Sequence, residues 1–157
     1  MLLQKLADHN CWANARIIKR LDAIAANGTP LPVRALHLFS HVLNAQAIWI
    51  ARVTGTHSPV KVFQYHDLAA LRPLHEITCP KLAELIKKAD AAELGRLIEY
   101  TNTQGKAYQT PVEEIFTHCF MHSSYHRAQV ALAIRDASFE PVNTDYVTWV
   151  REQMGQE

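Results

Sequence analysis

His118, His122 and His126 stand four residues apart within His118–Gln129, a segment of strongly helical composition. On an α-helix a step of four residues turns only about 40° past a full turn, so these imidazoles share a face and can bind one metal ion. The apolar stripe of the segment runs Ile115, Cys119, His122, His126, Val130, Ala133 in steps of three and four, which puts His122 and His126 at core-facing positions. An unsatisfied imidazole nitrogen there costs about 1–3 kcal/mol, and coordination or a hydrogen bond removes that cost. The plainer alternatives are side-chain hydrogen bonds to both rings, or a stripe whose phase is off by one residue.

A further ligand must come from another element. The segment Leu36–Trp49 carries His37 and His41 at helical spacing, in a stripe of His37, His41, Asn44, Ile48 and Ala51, and either histidine can face the interior. Three neutral imidazoles leave a coordination position open, which suits a catalytic rather than a closed structural site; that position can take water or a substrate thiol with a lowered pKa. No glutamate follows a ligand histidine as in H-E-x-x-H, so no general base of the zincin kind is evident. Weaker catalytic candidates are His9 or Asp8 as proton carrier, Asn44 one turn after His41, and Arg127, as a carboxylate receptor or one half of a surface ion pair. Trp12, Trp49 and Tyr125 are read as pocket walls or as core.

The elements that must position these residues are helical. Leu6, Asn10, Ala13, Ile17, Leu21 and Ile24 trace a first helix ending near Asn27-Gly28, and a second runs from about Val33 to Val53. A polar loop with Phe63 and Tyr65 follows, able to cover one end of a bundle. A third helical region over about Asp67–Ala89 contains Pro73 and Pro80 and is expected to kink or divide. Leu97–Thr101 and Ala107–Gln109 flank a glycine turn as a small β-hairpin. Thr110-Pro111-Val112-Glu113 reads as a capping box that opens the histidine helix near Pro111, which then runs to about Arg135; Asn143–Arg151 suggests a short closing helix. The expected fold is all-α: a four-helix bundle with a crossover connection, a short C-terminal helix and a minor β-hairpin.

The 157 residues, 48% hydrophobic and 20% charged, make one domain able to bury a core. A net charge of +1 without a basic cluster disfavours nucleic acid and anionic membrane as partners, and no apolar run has the length of a membrane span. Cys11, Cys79 and Cys119, odd in number and without a C-x-x-C pair, are expected to be unpaired packing residues of a cytoplasmic protein.

The segment His118–Gln129 resembles the last-helix signature of the DinB superfamily. His41 with Trp49 resembles that family's second-helix ligand segment, Asp8–Asn14 its opening helix, and Tyr100–Gly105 its strand before the last long helix, so the likeness covers nearly the whole chain. Ala128, where glycine is common, Met121, where asparagine is common, and the two prolines of the third helix depart from the pattern. The resemblance implies a four-helix bundle, commonly a homodimer, with a divalent metal, zinc or nickel, on His41, His122 and His126, and with His118 close behind and His37 as the other alternative ligand. It further implies a small-molecule substrate and thiol activation for S-transfer, with a low-molecular-weight thiol as co-substrate. Metal-dependent hydrolysis or isomerisation on the same fold, and a non-catalytic metal-binding stress-response protein, are the other readings it allows.

Overall fold

Leu3, Ala7, Asn10, Asn14, Ile17, Leu21 and Ile24 recur every three or four residues and all are buried, and the segment that carries them is one long helix, α1 (Leu2–Ala26). The computed structural model describes residues 2–156. After α1 come α2 (Val33–Thr54), α3 (Leu68–Lys88), a five-residue α4 (Ala91–Gly95), strands β1 (Leu97–Thr101) and β2 (Ala107–Pro111), then α5 (Val112–Asp136) and α6 (Tyr146–Gln153). Gly55 closes α2 in the left-handed conformation, at φ 69°, where its N–H reaches back to the carbonyls of the last turn.

The four long helices form a bundle in which α1 packs on α3 and α5, and α2 packs on α5 and α3. Consecutive helices α1 and α2 are therefore diagonal, although only a short link joins them. A short link here joins two helices that are not neighbours, against the usual preference in helix bundles. Two apolar clusters fill the bundle. One gathers Ile17, Leu21, Phe39, Leu43, Leu71 and Ile134; the other gathers Leu3, Leu82, Ile86, Phe116 and Phe120. Along each of α1, α2 and α5 the residues between the two clusters are polar yet buried: Asn10 and Asn14, Asn44 and Gln46, Ser123 and Arg127. A polar layer thus crosses the middle of the bundle.

Of two expectations about elements, one is narrowed and one needs correction. The third helix does not divide but is one continuous element despite Pro73 and Pro80. The carbonyls that these prolines leave without an intrahelical donor belong to the exposed residues Ala69 and Glu76, where solvent takes the place of the amide. Thr110 does not cap the histidine helix: it lies in β2, its hydroxyl bonds Tyr100 Oη at 3.1 Å, and Pro111 occupies the N-cap without a side-chain bond. The helix is tied down instead by Val112 N–H donating to the Arg96 carbonyl at 3.0 Å.

Cys11 and Cys79 form a disulfide joining α1 to α3, with Cα atoms 5.4 Å apart, and Cys119 is buried and free. The expectation of three unpaired cysteines is overturned, and with it the argument from cysteines for a reducing compartment. Pairing between residues far apart in sequence depends on helix packing that cysteine spacing does not encode. No helix among the described residues is long and apolar enough to cross a membrane.

Candidate metal centre

The buried face of α5 includes Ile115, Cys119, Val130 and Ala133 of the stripe read off the sequence, but at its middle Ser123 and Arg127 take the buried places expected for His122 and His126. His122 and His126 are consequently half-buried at the edge of the polar layer, facing α2 rather than the core centre. His41 of α2 meets them there, and one ligand atom from each of the three lies within 4.8 Å of the others.

Hydrogen bonds fix the tautomers of two rings. The Val62 carbonyl can only accept, so His41 Nδ1, 3.1 Å away, carries the proton and Nε2 keeps its lone pair. His126 Nδ1–H likewise donates to Gln129 Oε1 at 2.7 Å. His41 Nε2 lies 3.2 Å from His122 Nε2. Two nitrogens bound to one tetrahedral ion at about 2.0–2.1 Å sit about 3.3 Å apart, so the spacing suits shared coordination. The buried Nδ1 of His122 has no partner, so protein hydrogen bonds do not fully account for this ring. Burial and the neighbouring His126, His41 and His118 push the His122 pKa down to about 4. Burial also lowers that of His126. Both rings are neutral near pH 7, as ligands must be.

Asn44 holds the loop that sets His41. Its Nδ2 donates to the Gln64 carbonyl at 2.7 Å and the Val62 carbonyl at 3.4 Å, and its Oδ1 accepts from His66 Nε2 at 2.8 Å. The same loop stacks Phe63 on His41, ring centroids 5.2 Å apart, and lays Tyr65 against His37 at 4.6 Å. The loop expected to cover one end of the bundle thus places its two aromatic residues against the histidines of α2. His37 is exposed and outside the trio. His118 is exposed too, its ring 5.5 Å from that of His122 and 5.6 Å from Trp49.

Three candidate catalytic residues, His9, Asp8 and Arg127, lie elsewhere. His9 is buried against Trp12, Tyr146 and Trp149, with Nε2 2.9 Å from the Thr144 carbonyl, and lines a separate cavity beside α6. Asp8 is exposed and accepts from Gln4. Arg127 makes no surface pair: it is 2% exposed and donates to Asn10 Oδ1 at 2.8 Å and Asn14 Oδ1 at 3.2 Å within the polar layer. Of the aromatic candidates, Trp12 bonds Glu152 near α6 and Tyr125 is mostly exposed beside His126. Trp49 alone joins a cavity next to the trio.

That cavity, about 320 Å³, is bordered by His41 and His122 on one side and by Trp49, Arg52, Tyr100 and Tyr108 on others. Arg52 escaped the sequence reading although a signal was present: it follows His41 by eleven residues, three helical turns, and so lies on nearly the same face. The hairpin completes the enclosure, because the β1–β2 register sets Tyr100 opposite Tyr108 and Tyr100 packs edge-on against Trp49 at 5.0 Å.

Residues 1–156 match the model of the DinB family. The chain belongs to that family. Protein DinB of Bacillus subtilis (strain 168) is 23% identical over 154 residues, covering 90% of each chain.

Proposed function

We propose that this DinB-family protein is a divalent-metal-dependent enzyme that activates a thiol for S-transfer at His41, His122 and His126. The observation that carries the reading is the convergence of three imidazole ligand atoms, one short of a tetrahedral set, beside a cavity bordered by two of the same rings. A bound divalent ion supplies Lewis acidity, lowering the pKa of a thiol so that the nucleophilic thiolate predominates near neutral pH.

The chain's own residues do the rest. Val62 and Gln129 hold the protons of His41 and His126 on Nδ1 and so keep Nε2 lone pairs available. Phe63 shields His41 from one side. The aromatic walls exclude water from a reacting sulfur. In the transfer a carbon–sulfur bond forms as the electrophile's leaving group departs with its electron pair, and the thiol proton passes to bulk water through the cavity mouth.

Hydrolysis and isomerisation have less support, because no aspartate or glutamate lines the cavity to act as base. A purely structural metal site is disfavoured by the adjoining cavity. Zinc or nickel as the ion, a low-molecular-weight thiol as co-substrate, and a homodimeric assembly complete the proposal by resemblance to the family. The test is to load the protein with zinc or nickel and offer small thiols with monochlorobimane, following conjugate by mass. Catalysed conjugation that His122→Ala abolishes supports the reading; conjugation at the uncatalysed rate with every thiol contradicts it.

A further inference from the structure

Arg52 occupies an unusual position for a cation. Its guanidinium lies 4.4 Å from the Trp49 ring centroid and 4.6 Å from that of Tyr100, and its hydrogen bond among the described residues is one from Nη2 to the Thr101 carbonyl at 3.2 Å. None of the ion pairs among the described residues involves it. Burial lowers its pKa, the mark of a charge without full compensation. No carboxylate is among the residues that line its cavity, and a second cation, Lys106 Nζ, stands 5.2 Å from the ring centroid of Tyr108, one of those lining residues. An arginine packed against two rings that themselves meet edge-on is held in place, and its remaining N–H groups form a fork suited to a carboxylate. The aromatic walls favour a flat or apolar body on the molecule that brings it.

We propose that this cavity takes a small carboxylate-bearing molecule with an apolar or aromatic body, and that Arg52 receives the carboxylate while the reactive end points to the histidines. The orientation rests on the S-transfer reading above, but carboxylate recognition does not need the metal and is tested apart from it. The bland role for Arg52 is a clamp between α2 and the hairpin, and the experiment must separate the two.

Metal-free protein, wild type and the variants Arg52→Gln and Arg52→Lys, is titrated with 3-phenylpropionate and with the neutral 3-phenylpropan-1-ol. Binding is read from the Trp49 indole and Arg52 Nε–H resonances by ¹⁵N NMR. Wild type is expected to prefer the carboxylate by about tenfold or more, with the Arg52 resonance shifting only for that ligand. Arg52→Gln should lose the preference, and Arg52→Lys, which keeps charge but not the fork, should retain part of it. Equal affinity for both ligands in wild type overturns the proposal. So does a preference unchanged in both variants, which is what a clamp alone predicts. If Arg52→Gln does not fold, the wild-type Arg52 resonance decides: no shift with 3-phenylpropionate is a contradiction. Repeating the titration with cobalt(II)-loaded protein separates the two readings, because failure to take up cobalt counts against the metal site and leaves the carboxylate result standing.

Discussion

His41 Nε2 and His122 Nε2 stand 3.2 Å apart although 81 residues separate them in the chain. Two neutral imidazole nitrogens at this spacing match two ligands of one tetrahedral ion, about 3.3 Å apart, and the neighbouring His126 ring offers a third. The groups that orient these rings should therefore matter to metal affinity without touching the metal.

Gln129 and Asn44 are the direct probes of that idea. Gln129→Ala removes the acceptor of His126 Nδ1–H, and Asn44→Ala frees the loop that presents the Val62 carbonyl to His41. Each is expected to weaken metal binding about 10–100-fold, measured by competition with a chelating dye, while circular dichroism stays that of the wild type.

Acid should act on the metal-free protein through His122. Its folded pKa of about 4 lies below the ordinary 6.5, so between these values the unfolded chain binds more protons than the folded one. Stability contributed by the neutral ring is present above pH 6.5 and is lost as pH falls toward 4, by up to about 3 kcal/mol. Urea denaturation in EDTA at pH 7 and pH 5 should show the loss, and His122→Gln should reduce it. A midpoint independent of pH in wild type would contradict the assigned environment.

The Cys11–Cys79 bond closes a loop across 68 residues of sequence and staples α1 to α3. Chain entropy assigns such a crosslink about 4 kcal/mol, and the double variant Cys11→Ser/Cys79→Ser should lose on that order by urea denaturation. Its metal content should be unchanged, since neither cysteine approaches the histidines. Mass spectrometry of non-reduced peptides checks the bond itself.

Arg127 supports the bundle rather than the chemistry. Arg127→Leu leaves Asn14 Oδ1 without its donor and Asn10 Oδ1 with only the 3.4 Å bond from Gln46 Nε2 in the buried layer, and should cost about 2–4 kcal/mol. Metal affinity measured on the folded variant should match wild type. A large fall in affinity with stability intact would place Arg127 at the site after all.

The bundle was legible because apolar residues at three- and four-residue spacing dominate α1, α2 and α5, and the hairpin because its glycine turn lies between two short β-prone runs. His122 and His126 were legible as a pair from spacing alone. The choice of His41 over His37 came only from the family resemblance and not from spacing, since both lie within the same helix and the docking of α2 on α5, with the 56–67 loop, separates them. Arg127 was misread because a buried arginine next to a ligand histidine looks like a surface residue until Asn10 and Asn14 from α1 are brought to it. The stripe of α5 was right at Ile115, Cys119, Val130 and Ala133 and off by one residue only at its middle, where the core face is polar through Ser123 and Arg127 and hydrophobic spacing cannot register it. The disulfide and the diagonal placement of α1 and α2 depend on packing between distant segments.

The central claim is a single divalent ion on His41, His122 and His126. It is tested most directly by elemental mass spectrometry of the untagged protein, freed of loosely bound ions, beside His41→Ala, His122→Ala and His126→Ala. The account predicts about one metal per chain in wild type and loss in each variant, with His37→Ala retaining the wild-type content. A wild-type protein that carries no metal and takes up none on exposure to zinc or nickel would contradict it.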